Sequence, residues 1–550
     1  MIVIPSLQVL GSFSRCVREA MRWEAIFWFG LIATLSSALA APAATHHLDS
    51  EAGDDGQDGA TPATAWKSLK RANRQTYAAG DRVLFRAGCE WDGAFQPRGS
   101  GQKGKPIVVD QFGKGAKPAI HGRGLVPAVV RLENQSYWTV QNLEITNQSE
   151  FGERELRGVE IRARDVGLVK GIHLENLDIH DVNGISNYTD DGDALAKTYG
   201  GLATIIEGDV KPTAWDELRI ENCTIRDVGP AGIAMITSWV AGHGDNNPQT
   251  WFPSRGVVLR GNKIERTARN GLIVRGCKAP LVERNFFKGC AHGGSGNACF
   301  AFHCDDALFQ FNEACHTIYN PGDTDASGFD SDYYCRRSVF QYNYSHDNDY
   351  GFMLVCNRPP GGFNDGTIVR YNVSQNDGGN IFRISGATTR TQIYNNTIYA
   401  SPTMTNPKEG DPPRIIYFKS WNNGWSDDFT FANNIVVNQS QQAVYVQGDS
   451  TNNRFRNNLF FGEHPESEPA DPRRLTADPL LVDPGGAGEG IPTAIAAYSL
   501  RPGSPAIFAG RALPRHVKRD FAGRRVLMMN GRVDLGALAW RPKYNSNVDE

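Results

Sequence analysis

"ACFAFHCDDALFQFNEACHTIYNPGDTDASGFDSDYYCRRSVFQYN", residues 298 to 343, states one phrase twice. A short alternating strand, a polar turn, a second strand and a closing asparagine make up "ACFAFHCDDALFQFN" and again "GFDSDYYCRRSVFQYN". Related phrases run outward on both sides: "GVEIRARD", "AGIAMITS" and "GLIVRGCKAPLVERN" before it, "GFMLVCN" with "GTIVRYN" and "NIFRISGATTRTQIYN" after it. The closing residues Asn285, Asn312, Asn343, Asn372 and Asn395 are 23 to 31 residues apart. A unit of that size cannot bury its own apolar face, so the units must stack. Strands this short, with no amphipathic helix between them, predict an all-β chain wound as a single-stranded right-handed parallel β-helix. A β-propeller would need longer antiparallel repeats with hairpins, and hairpin signals are scarce. Turn asparagines on successive coils should bond amide to amide in ladders. Cys277, Cys304, Cys335 and Cys356 hold similar places in four units and read as an inward stack of small apolar side chains.

The chain has 550 residues, 40% hydrophobic and 21% charged, with 58 Gly and 29 Pro, which suits a large, turn-rich core. Residues 1–40 carry Arg15, Arg18 and Arg22, then "AIFWFGLIATLSSALA" ending in small side chains, the pattern of an export signal. The apolar run is short for a bilayer span, and no later segment is long enough to cross. A secreted or periplasmic location follows as the expectation. Without that leader the net charge moves from −3 to −4, which argues against a general nucleic-acid binder. Cys16 falls in the leader and leaves nine cysteines, an odd number with no CxxC pair.

The two ends differ from the middle. "DGATPATAWKSL", "AAGDRVLFRAGCEWDG" and "GSGQKGKPIVV" followed by "GKGAKPAIHG" resemble the opening of secreted proteins of the pectate lyase-like β-helix superfamily. "ADPLLVDP", "YSLRPGSPAIFAG" and "RDFAGRRV" with "VDLGALA" resemble their closing segment. The resemblance implies a leader at 1–40, an entry and cap at 41–125, coils at 126–475 and a closing segment at 476–550. It implies secretion, and it is compatible with lyases, hydrolases, epimerases and adhesive fibres alike.

Alternation places the candidate chemistry. With Phe329 and Ser331 inward, Asp330 and Asp332 point out, and the same phase sends Arg275, Met353 and Arg383 out of neighbouring coils. In "CFAFHCDDALF", Phe300 and Phe302 inward leave His303 and Asp305 outward. Coils about 4.8 Å apart would gather these into one patch, with Lys419, Tyr333 and Trp421 at its edge. Asp190, Asp191 and Asp193 in "NYTDDGDALAK" form a second acidic cluster that could hold calcium, with Lys197 nearby as a base if the loop folds over.

Three functions fit. A polysaccharide lyase would use Asp305, Asp330 and Asp332 as electrostatic or calcium-holding groups, Arg275 and Arg383 as clamps on a uronate carboxylate, and His303 as base. This is the leading expectation, with a uronate-containing polysaccharide as partner, no organic cofactor and a monomer. A glycoside hydrolase would use paired Asp carboxylates on the same scaffold. A noncatalytic glycan-binding or adhesive β-helix would rely on the aromatic rings.

Overall fold

Residues 42–187, 195–513 and 517–541 are described by the computed structural model. The leader, and with it Cys16, and the aspartates Asp190, Asp191 and Asp193 lie outside them. Among the described residues the coils build three parallel sheets, of 14, 13 and 13 strands. The first sheet runs from Thr45–Leu48 to Arg454–Arg456, the second from Glu90–Asp92 to Leu459–Gly462, and the third from Ala128–Glu133 to Val444–Val446. The path is that of a right-handed parallel β-helix, the hand that parallel crossovers take. Among the described residues strands begin at Thr45, so residues 45–125 contribute coils of their own as well as the capping helix Leu69–Arg74, whose first turn is closed by Ser68 Oγ.

The corners explain how so regular a winding arises. At the corner between the first and second sheets one residue takes a left-handed backbone and the next is a buried asparagine. The left-handed residues are Gly261, Arg284, Phe311, Tyr342, Tyr371, Asn395, Asn433 and Asn457, with φ of 52 to 66°. The asparagines that follow, from Asn262 through Asn285, Asn312, Asn343, Asn372, Asn396, Asn434 and Asn458, form a continuous ladder that ends on Asp471. Asn285 shows the pattern. Its Nδ2 donates to Leu259 O at 2.9 Å and to Asn312 Oδ1 at 2.9 Å, while its backbone N–H donates to the same Oδ1 at 3.0 Å. The sequence phrase therefore closes one residue later than expected in one coil. Asn396 is the ladder member, and Asn395 supplies the left-handed turn.

Inside the coils one apolar cluster runs through the stack, with Phe309 and Phe340 stacked at 4.6 Å between successive coils. Cys277, Cys304 and Cys335 belong to it, as small inward side chains. Cys356 does not: it faces outward. All nine cysteines among the described residues are free and buried. A second cluster lies outside the coils, where Leu481, Tyr498, Phe521 and Leu535 of the closing segment cover Tyr342, Tyr371 and Tyr394. Tyr498 Oη donates to Gln375 Oε1 at 2.8 Å, and Asn395 Nδ2 donates to Asp534 O at 2.9 Å.

Candidate active site

The outer face of the third sheet carries the concentration of ionisable groups. Its middle strands are Asn270–Lys278, Cys299–Asp305, Phe329–Ser331, Met353–Asn357, Asn380–Gly386 and Arg414–Lys419. Register puts Phe300, Asp330, Leu354, Arg383 and Tyr417 in one outward row across five coils. Two residues further along, Cys356, Ser385 and Lys419 form a second row, which Asp332 joins through a 3.0 Å contact with Cys356 Sγ. Between the rows and the loops at their edge lies a cavity of about 340 Å³, a size usual for a small-molecule site. Asp330, Asp332, Arg383, Lys419, Tyr333 and Trp421 all line it, as does Lys197 from the turn Ala196–Thr198.

Other expected members are elsewhere. Phe300 and Phe302 face outward, into a small apolar cluster with Ile236 and Ile273, and Cys299, Ala301 and Cys304 take the inward places. Met353 likewise points into the core and Leu354 points out. The strand is broken at His303, which adopts φ of 51° beside Gly276 at 67° on the preceding coil. That left-handed residue resets the alternation. His303 is buried against Tyr334, rings stacked at 4.2 Å, and burial with Arg275 and His243 nearby pushes its pKa down to about 2. It is a neutral packing group, not a base in the cavity. Asp305 meets His243 Nε2 at 2.9 Å under the loop that carries Trp251, whose ring stacks on His243. Burial works to raise the pKa of Asp305, but His243, Arg336 and Arg337 outweigh it and hold it low. Arg275 lays its guanidinium 4.8 Å from the Phe302 ring centre, and burial lowers its pKa; it is not among the cavity-lining residues.

Asp325 is the cavity carboxylate that strand alternation does not pick out. It sits in the loop before Asp330, its Oδ2 accepting from Ser295 Oγ at 3.1 Å and its Oδ1 3.7 Å from Arg383 Nη2. The run "DTDASGFDSD" places four aspartates within ten residues, a signal that strand alternation alone passes over because Asp323 and Asp325 precede the strand.

The carboxylates differ sharply in environment. Asp330 is 2% exposed; Asn297 Nδ2 donates to its Oδ2 at 3.2 Å, and Oδ1 has no partner. Burial, then the neighbouring Asp332 and Asp325, raise its pKa well above the ordinary range, against Arg383. Asp332 accepts from Tyr333 N–H at 2.7 Å and from Cys356 Sγ. Burial lifts it to about 6, with Asp325 adding and Cys356, the Tyr333 N–H and Lys197 subtracting. One oxygen each of Asp330 and Asp332 and the Cys356 sulfur lie within 4.8 Å of one another. Two carboxylates, a thiol and the Asn297 amide do not fit calcium, which takes about six to eight oxygen ligands. Arg383 Nε and Nη1 are buried without partners, and burial together with Arg383 and Lys408 lowers the pKa of Lys419. Tyr333 and Trp421 meet edge to face at 6.2 Å on the same wall.

A family model described as a right handed beta helix region matches residues 210–398. Across 599 aligned residues the chain is 25% identical to the lacto-N-biosidase of Bifidobacterium longum subsp. longum, covering 90% of this chain and 36% of that protein. It thus spans about a third of that relative's length, at 36%. An alpha-1,3-galactosidase A of Akkermansia muciniphila is 38% identical over 63 residues, 12% of this chain and 10% of that one. A solved GH136 lacto-N-biosidase from Eubacterium ramulus shares the fold, with a TM-score of 0.58 at 23% identity, covering 75% of this chain and 67% of that chain.

Proposed function

We propose that this chain is a glycoside hydrolase whose reaction takes place between Asp332 and Asp325. The observation that carries the reading is that one cavity holds two carboxylates in different surroundings: Asp332, whose pKa burial raises to about 6, and Asp325, half-buried with its Oδ1 3.7 Å from Arg383. Hydrolysis of a glycoside needs one carboxyl group that keeps its proton and one that does not, flanking the bond. Asp332 protonates the leaving oxygen. Asp325, 3.7 Å from Arg383, is the second carboxylate, placed to support the positive charge that develops at the anomeric carbon as the glycosidic bond breaks and water adds there. Asp330, whose pKa burial raises well above the ordinary range, lines the same cavity. Tyr333 and Trp421 offer ring faces to the sugar. The names borne by the two curated relatives, a biosidase and a galactosidase, favour hydrolysis over elimination. The leader pattern at residues 1–40 supports export, and a monomer suffices for the site.

The lyase reading keeps one specific support. Lys419, its pKa lowered by burial and Arg383, suits proton abstraction, and the unpartnered Arg383 donors suit a uronate carboxylate. Product analysis on a panel of galactose-containing oligosaccharides and uronate-containing polysaccharides separates the two. Saturated products with new reducing ends are expected; unsaturated uronate ends, read by ultraviolet absorbance, would transfer the site to elimination. Asp332→Asn should lose about 10²–10⁴-fold on natural glycosides but far less on aryl glycosides whose leaving group needs no proton. Asp325→Asn should lose both.

A further inference from the structure

A second cluster of reactive side chains lies on a different sheet, away from the cavity. In the second sheet the strand Glu313–Cys315 pairs in parallel with Tyr344–His346, so Cys315 and His346 are direct neighbours one coil apart. Glu313 stands two residues before Cys315 on the same outward face. Cys315, His346 and Glu313 are buried, at 0%, 2% and 6% exposure, while His316 is exposed. The Cys315 sulfur and one ring nitrogen each of His316 and His346 lie within 4.8 Å of one another. Glu313 Oε1, 3.1 Å from His346 Nε2, stands beside that trio on the same face.

The set is chemically specific. One sulfur, two imidazole nitrogens and a carboxylate oxygen form a borderline donor set of the kind zinc takes in four-coordinate sites. Bond lengths of about 2.3 Å to sulfur and about 2.0 Å to nitrogen put tetrahedral donors about 3.5 Å apart. The exposed His316 ring is free to supply the contraction. One side of His346 is already held as in a metal-bound imidazole, while its Nε2 meets Glu313 Oε1, a contact that a cation would displace. Its Nδ1 meets Asp347 Oδ2 at 2.8 Å, the outer bond that fixes a ligand's tautomer, and its ring is stacked on Tyr344 at 4.4 Å. Glu313 in turn accepts from Gly490 N–H at 2.7 Å, so the cluster reaches the closing segment.

The same molecule supplies a comparison. Glu144, His180 and Asp181 repeat the arrangement, with His180 3.2 Å from Glu144 and 2.6 Å from Asp181. There Thr146 occupies the register place of Cys315, and no thiol is present. The Glu–His–Asp trio alone is thus a device of the coil. The added thiol, the second histidine and the deeper burial distinguish residues 313–346.

We propose that Cys315, His316, His346 and Glu313 form a binding site for a borderline divalent cation, zinc by its donors, that clasps the closing segment to the coils. Binding releases the Cys315 thiol proton and any proton on His346 Nε2. The full chain, stripped with a chelator and desalted, is titrated with Co²⁺ and then Zn²⁺. Expected are the visible bands of tetrahedral cobalt with a near-ultraviolet sulfur-to-cobalt band, both erased by one equivalent of Zn²⁺. Cys315→Ser should lose the sulfur band. His316→Ala, an exposed change that leaves the core intact, should weaken cobalt affinity by at least about tenfold. Failure of the unmodified chain to bind one equivalent overturns the proposal. So does a sulfur band that survives in Cys315→Ser, or an affinity that His316→Ala leaves unchanged.

Discussion

Asp332 keeps its proton up to a pH of about 6 because burial and Asp325 outweigh the hydrogen bonds of Cys356 and Tyr333 N–H and the charge of Lys197. As a general acid it should lose activity as pH rises through that value. Cys356→Ala removes the thiol that donates to Asp332 Oδ1, so the carboxyl pKa rises and the alkaline limb of the kcat/KM profile should move to higher pH. A limb that moves down would sink the assignment. The same shift has a stability sign. An unfolded Asp ionises near pH 3.9, so between about 4 and 6 the folded chain holds a proton that the unfolded chain has lost, and stability falls as pH rises. Asp332→Asn should therefore be more stable than the parent at pH 7, by on the order of 2 kcal/mol, and little different near pH 4. Thermal melting at the two pH values measures this. Asp330, Asp332, Arg383 and Lys419 were legible because alternation has a period of two and their strands obey it. Phe300 and Phe302 were misread as inward. His303 and Asp305 stand outside the core but away from the cavity, because the left-handed backbone at His303 turns the corner there and carries both under the loop of His243 and Trp251. Asp325 was passed over because a loop has no period to read.

The corner between the first and second sheets works as a unit of two residues, and its members have unequal weight. Asn396→Ala would strip Oδ1 from the Asn372 N–H and Nδ2 donors and Nδ2 from Val369 O and Asn434 Oδ1, all buried. Unsatisfied buried groups cost about 1–3 kcal/mol each, so a loss on the order of 3 kcal/mol is expected in denaturant titrations. Asn395→Gly keeps the left-handed turn and gives up only the side-chain bonds to Asp534 O and Gly536 O and the one accepted from Asn433, so its loss should be distinctly smaller. Equal losses would mean that the ladder is not what holds the corner. The ladder was legible as a recurring asparagine at the end of each phrase. Its register in "IYNN" was not, since two adjacent asparagines satisfy the pattern equally and only stacking against the next coil selects the second.

Across the molecule, the repeat alone was enough to read the fold, because a unit of 23 to 31 residues without helices has few ways to bury its apolar side. How the closing segment packs was not readable, as it follows no repeat and finds its place only against the tyrosines that the finished coils present. Removing residues 479–541 should expose Tyr342, Tyr371 and Tyr394, and the shortened chain should bind hydrophobic dyes or aggregate. Cys304 and Cys335 are packing groups of the core, and burial raises their thiol pKa well above its ordinary value. Iodoacetamide followed by peptide mass spectrometry should find them modified only after unfolding. The left-handed residues Gly276, His303 and Tyr334, at φ of 67, 51 and 59°, occupy equivalent corners of three successive coils. A residue inserted or deleted ahead of such a corner is absorbed there, before the chain enters the next sheet. Each coil is therefore insulated from its neighbours' errors, and descendants of this chain can vary the cavity one coil at a time while the remaining coils are inherited unchanged.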